Sequence, residues 1–107
     1  MEAIENLPEI LKVPGVDVYF IGTGDLSQSM GYTGQQTHPE VQRLVEHGIK
    51  VIRDGGRIAG CSSTEARIPT LVGLGVQYFH DHMSRLLQKS SEAYLKNVRQ
   101  AAEKVGL

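Results

Sequence analysis

Apolar residues along this chain follow one pattern three times: a short continuous run, then a stripe spaced by three and four. The first run, Val16–Ile21, is densest at Val18-Tyr19-Phe20-Ile21 and ends in Gly22-Thr23-Gly24-Asp25-Leu26-Ser27. A continuous apolar run bounded by glycines predicts a strand buried on both faces. After a Gly-rich loop over 31–37, Val41, Leu44, Val45, Gly48, Ile49 and Ile52 form one stripe, which predicts a helix from about Pro39 to Arg53. Thr37 and Glu40 fit a capping box, with His38 as a rival cap, and Asp54-Gly55-Gly56 ends the helix. Arg57–Cys61 is the second strand, and Ser62 to Glu65 again spells a capping box. The helix that follows carries Ile68, Leu71, Val72 and Leu74, with a kink or restart at Pro69. Val76–His80 is the third strand. A last helix, about Ser84–Val105, aligns Leu87, Tyr94, Val98, Ala101 and Val105 on one face. Ahead of all this, Met1–Val13 has helical spacing at Ile4, Leu7, Ile10 and Leu11, broken or restarted at Pro8 and stopped by Pro14-Gly15.

The order is therefore a helix followed by three βα units. Alternation of this kind predicts an α/β fold with a parallel sheet covered by helices. Three parallel strands cannot close a barrel, and both lateral edges stay open. The expected state is thus a homo-oligomer, or a complex with a complementing piece of a larger fold.

Composition narrows the functions. With 107 residues there is room for one domain. A net charge of −1 spread over mixed signs offers no nucleic-acid or membrane face. Trp is absent and Tyr plus Phe number only six, which argues against a stacking platform for single strands. The single cysteine excludes an internal disulfide and fits a reducing cytoplasm. No segment reads as a membrane span or a signal peptide.

Candidate chemistry gathers where strands end. Gly22 and Gly24 permit a tight turn with backbone N–H groups close to a ligand. Asp25 follows just past the carboxyl end of a parallel strand, where α/β folds place their chemistry. The other reading makes Asp25 the cap of a short helix, Leu26–Met30. Ser27 is either a substrate contact or a helix-start hydrogen-bonder. Cys61 is a functional thiol or a buried hydrophobe. His80-Asp81-His82 is a metal site or a polar strand end. His38 reads as a helix start, His47 as helix surface, and the Lys and Arg of the last helix as a solvated face.

The runs Glu2–Ile10, Val13–Asp17, Phe20–Gly22, Asp25–Ser27, Met30–Tyr32 and His38–Gln42, in this order, resemble the HpcH/HpaI aldolases, class II metal-dependent enzymes acting on 2-oxo acids. The likeness is dense from Glu2 to about Arg53 and thins from Arg57 onward. It implies a partial TIM (β/α)8 barrel, strands six to eight, with residues 1–107 a single domain from the C-terminal half. It also implies cleavage of 4-hydroxy-2-oxo acids to pyruvate, or a related 2-oxo acid, and an aldehyde. The family's metal-ligating Asp lies in a Gly-Pro-Ala-Asp-Leu-Ser motif, which makes Asp25 the implied ligand of Mg²⁺, Mn²⁺ or Co²⁺. Here Thr23-Gly24 replaces Pro-Ala, and Thr23 restores an N–H that proline lacks. The family's metal-ligating Glu would fall two positions before Met1. Its base and its substrate-binding Arg belong to the first half, so no catalytic residue is assigned in this chain. A substrate carboxylate would meet the amides of Gly24 and Asp25, with Ser27 beside them. Two functions follow: an aldolase chain completed by a first half-barrel, or a non-catalytic half-barrel that persists by oligomerising.

Overall fold

A computed structural model describes residues 1–107. In chain order the elements are α1 (Glu2–Glu5), α2 (Leu7–Ile10), β1 (Val18–Ile21), α3 (Thr23–Ser29), α4 (Pro39–Asp54), β2 (Ile58–Ser62), a 3-10 turn (Glu65–Arg67), α5 (Ile68–Gly73), β3 (Val76–His80) and α6 (Met83–Lys104). Each apolar run forms a strand, and the strands make one parallel sheet in the order β1-β2-β3. Val18 lies opposite Ile58 and Ile21 opposite Cys61. Between β2 and β3 the register slips: Ala59 faces Val76, then Gly60 faces Tyr78, so Gln77 is an extra residue on β3. Its side-chain oxygen accepts from Arg53 Nη1 of α4 at 3.3 Å.

Helices cover only one side of this sheet. Tyr19, Ile21, Ala59 and Cys61 are buried in one core with Val41, Val45, Ile49 and Ile52 of α4. Ile4, Leu7 and Leu11 close that core from the N-terminal side. A Cβ added at Gly48 would come within 2.8 Å of Ile21 Cδ1 and 3.2 Å of Ile4 Cδ1, so the glycine is what lets strand and N-terminal turns reach α4. The opposite face carries Phe20, 42% exposed, and Tyr78, 51% exposed, ring edge to ring face at 6.1 Å. Both close over Gly60, where a Cβ would lie 2.8 Å from Phe20. The expectation that the first run is buried on both faces is thus corrected. Strand side chains alternate between faces, and only one face has helices to meet.

Several boundaries also shift. The N-terminal helix is two single turns parted at Asn6, with Pro8 in the opening turn of the second. His38, not Thr37, caps α4: its Nδ1 accepts from Glu40 N at 3.2 Å, and its ring stacks on Tyr32 at 3.8 Å. The second capping box does not form. Ser62 is the last residue of β2, Glu65 pairs with Lys89, and the 3-10 turn has no side-chain cap. The restart at Pro69 is observed, as α5.

The last helix departs furthest from its surroundings. None of the 22 residues of α6 is buried. It is held near its start, where Arg85 reaches Ser63 O at 2.7 Å and Asp81 at 2.5 Å, and where Lys89 pairs with Glu65. The radius of gyration is consequently 18.3 Å, against about 13 Å for a compact chain of this length. No helix is long and apolar enough to cross a membrane.

Candidate active site

The turn after β1 brings the first candidate residues together. Gly22 takes the cap position of α3, so the helix begins at Thr23 and Asp25 is the third residue of its first turn. The alternative in which Asp25 itself caps a helix from Leu26 is therefore excluded. The Asp25 carboxylate folds back over the cap: a Cβ on Gly22 would sit 3.1 Å from Asp25 Oδ2. A side chain at position 22 would crowd that carboxylate, which explains the first glycine. Gly24 has more room, its nearest neighbour being Gln36 Nε2, 3.8 Å from an added Cβ. The amides of Gly24 and Asp25 belong to the first turn, where no i−4 carbonyl reaches them. They remain donors for a carboxylate.

Three interactions hold this turn. Thr23 N donates to Ser62 Oγ at 3.2 Å, and the two hydroxyls lie 3.0 Å apart. These bonds tie the turn after β1 to the end of β2. Ser27 Oγ donates to Gly24 O at 2.7 Å, and Ser27 is fully buried. Of its two readings, the helix-start hydrogen-bonder is the one this bond supports: the hydroxyl donates within the turn and positions Gly24. Sequence reasoning missed the Thr23–Ser62 link, because it depends on strand register, which a single chain does not display.

Two cavities flank the turn. A polar one of about 230 Å³ runs from Thr23 and Gly24 past Ser62 and Thr64 to Arg67 and His80. An apolar one of about 360 Å³ lies along the open side of β1, lined by Asp25, Phe20, Ile4 and Met1. There the Met1 amino group donates to Ser29 Oγ at 2.7 Å.

The remaining candidates resolve differently. Cys61 is fully buried, and burial pushes its thiol up to about 11 against the opposing charge of Arg67. A thiol that stays protonated is a poor nucleophile, so the functional reading of Cys61 fails. His80 and His82 do approach, ring to ring at 4.9 Å. Asp81, however, accepts from Arg85 and from the His82 amide, and the Arg85 bond holds its carboxyl below the usual carboxylate range. No three His, Cys, Asp or Glu side chains converge on a metal position. The His-Asp-His metal reading is corrected accordingly: Asp81 serves as the anchor of α6.

For a divalent metal at Asp25, the donor chemistry fits in kind. A carboxylate oxygen at the mouth of a strand suits a hard cation, and Gly22 leaves it unobstructed. Asp25 supplies one ligand of a shell of about six.

Comparison with known proteins places this geometry. Residues 1–68 match the model of the HpcH/HpaI aldolase/citrate lyase family. A 59-residue segment is 54% identical to the 4-hydroxy-2-oxo-heptane-1,7-dioate aldolase of Escherichia coli, covering 55% of this chain and 22% of that protein. The chain spans less than half the length of the solved structures it resembles. It superposes on citrate synthase SbnG with a TM-score of 0.78 at 27% identity, over 95% of this chain and 42% of that one. A family protein from Burkholderia cenocepacia J2315 shares the fold, with a TM-score of 0.82 at 23% identity over 90% of this chain and 38% of the other. A match over more than half the chain shows that this chain belongs to the HpcH/HpaI aldolase/citrate lyase family.

Proposed function

We propose that residues 1–107 are a single partial domain, strands six to eight of a (β/α)8 barrel, in a carbon–carbon lyase. The reaction is cleavage of a 4-hydroxy-2-oxo acid to pyruvate, or a related 2-oxo acid, and an aldehyde. One observation carries this reading: Asp25 stands at the carboxyl end of a parallel strand, in a turn that lies inside the family match. (β/α)8 enzymes place their chemistry at that end. The uncovered sheet face with Phe20 and Tyr78 then becomes part of a barrel interior, and the open side of β1 becomes the seam with a preceding strand.

The parts divide as follows. Asp25 holds Mg²⁺ or Mn²⁺ together with groups from the first half-barrel. When bound, that cation supplies Lewis-acid polarisation of the 2-oxo acid. The Gly24 and Asp25 amides orient the substrate carboxylate, and Ser27 fixes Gly24 from below. The proton-removing base comes from the first half-barrel; losing such a base alone costs on the order of 10² to 10⁴ in rate. Partners are therefore the substrate, a complementing half-barrel and a second copy that covers α6.

A lactate-dehydrogenase-coupled pyruvate assay tests the reading. The 107-residue chain with excess Mn²⁺ should release pyruvate negligibly. Adding the first half-barrel of a related aldolase should bring metal-dependent release, which Asp25→Ala should abolish. Calorimetry with Mn²⁺ alone should show weak binding that the same substitution removes. Robust turnover by the chain by itself, or an Asp25→Ala protein that retains reconstituted activity, would overturn it.

A further inference from the structure

We infer that the polar cavity beyond the carboxyl ends of β2 and β3 is a subsite for an oxyanion group, carboxylate or phosphate, with Arg67 as its main donor. Its place as the end of a substrate remote from Asp25 rests on the lyase reading above; the binding chemistry does not.

The cavity starts at Thr23 and Gly24, beside the turn that presents Asp25, and ends at Arg67, His80 and His82. Its volume of about 230 Å³ falls below the ~300–1,000 Å³ of pockets that take a whole ligand. That size suits one end of a molecule whose other end lies at the Gly24 and Asp25 amides. The donors are unevenly used. Arg85 is committed to Asp81 and to Ser63 O. Arg67 is not: Nη2 donates to Glu46 at 3.0 Å, while its Nε–H is buried without any acceptor. A buried donor left unpaired typically costs about 1–3 kcal/mol. Guanidinium groups are built to grip an oxyanion with two parallel N–H bonds, and Glu46 engages only one. An incoming carboxylate or phosphate oxygen on Nε satisfies the orphan donor. Cys61, which also lines the cavity, stays a neutral thiol and adds no opposing charge. Glu46 and Asp81 leave the cavity near neutrality overall, so affinity should be modest and should depend on the Glu46 charge.

The test is NMR of the 107-residue chain, following the arginine Nε–H signals and the Thr64 amide at constant ionic strength. Titration with glutarate and, separately, with inorganic phosphate identifies which oxyanion fits. At least one should shift the Arg67 Nε–H and Thr64 signals saturably in the millimolar range. Arg67→Met should remove the Thr64 shift, and Glu46→Gln should tighten binding several-fold. Both shifts are read without metal or turnover, so failure of the lyase reading and failure of this one are separable. No saturable shift with either anion, or an unchanged shift in a folded Arg67→Met protein, would overturn the inference. If Arg67→Met does not fold, Glu46→Gln decides alone, since unaltered affinity there removes Arg67 from the site.

Discussion

Helices α4 and α6 carry the same kind of sequence signal and meet opposite fates. Both have an apolar stripe at helical spacing, and α6 is the longer, at 22 residues against 16. Along α4 the stripe lies on β1 and β2, and Val41, Val45, Ile49 and Ile52 lose essentially all contact with solvent. Along α6 the stripe meets nothing: Tyr94 is 70% exposed and Val98 48%. An amphipathic pattern states that a helix has a face to bury. It does not state which polypeptide supplies the cover. Helix α4, which leads into β2, lies on the sheet it feeds, whereas α6, which follows β3, continues past the sheet's last strand.

Hydrogen exchange should show the contrast at its largest. Amides of α4 should open only with global unfolding, and those of α6 beyond Lys89 should exchange on a scale close to local fraying. A difference of ~10³ or more in protection is expected. Repeating the measurement at rising protein concentration sharpens the comparison. If a second copy covers the α6 stripe, protection there should grow with concentration, and light scattering should report a mass above the 11.7 kDa chain. Constant low α6 protection with a clean monomer at all concentrations would break the oligomer proposal.

Core truncation gives the next largest effect. Ile49→Ala should cost roughly 2–5 kcal/mol by urea denaturation, since it leaves a cavity between α4 and the sheet. Val98→Ala on α6 should stay within about 0.5 kcal/mol in the monomer. Equal losses would show that α6 is packed as tightly as α4.

Between these extremes lies Cys61, in the packed half but at the rim of the polar cavity. Its folded pKa is raised, so its contribution to stability is complete below the unfolded thiol's value, about 8.5. That contribution is lost as pH rises from there toward about 11. Urea midpoints should therefore fall more steeply between pH 8 and 10.5 in the wild type than in Cys61→Ala. The difference should be on the order of 1–2 kcal/mol once solvent at the rim is allowed for.

The smallest effect belongs to the hinge between the halves. Asp81 is depressed by its bond to Arg85, so the pair acts above the ordinary carboxylate pKa and is lost as pH falls through the lower folded value. Asp81→Asn should loosen the first turn of α6 at neutral pH, seen as faster exchange there, and leave α4 untouched. Faster exchange in α4 as well would show that the two halves are coupled.

What the sequence displayed, and what it hid, follows the same division. Strand and helix identities were legible because each depends on local periodicity: Val18–Ile21, the stripe from Val41 to Ile52, the restart at Pro69. The position of Asp25 after a strand was legible for the same reason. Facts that depend on pairing were not. That Phe20 and Tyr78 share an uncovered face requires the sheet order. Both candidate caps of α4, Thr37 and His38, were legible, but the choice of His38 requires the placement of Tyr32, whose ring stacks on the imidazole. That Ser62 ends a strand and receives Thr23, instead of opening a helix, requires the register between β1 and β2. Arg67 gave no signal at all, since its importance lies in one nitrogen without an acceptor.

The pairing of Thr23 with Ser62 has an evolutionary consequence. Two residues 39 positions apart share one hydrogen-bonded contact, with the hydroxyl of one receiving the amide and facing the hydroxyl of the other. Proline at 23 would remove the amide and strand the Ser62 hydroxyl; a hydrophobe at 62 would strand Thr23. The two positions therefore constrain each other's substitution. A transplant of the turn after β1 from a relative with Pro-Ala must carry a matching change at the end of β2, or the graft will lose its tether.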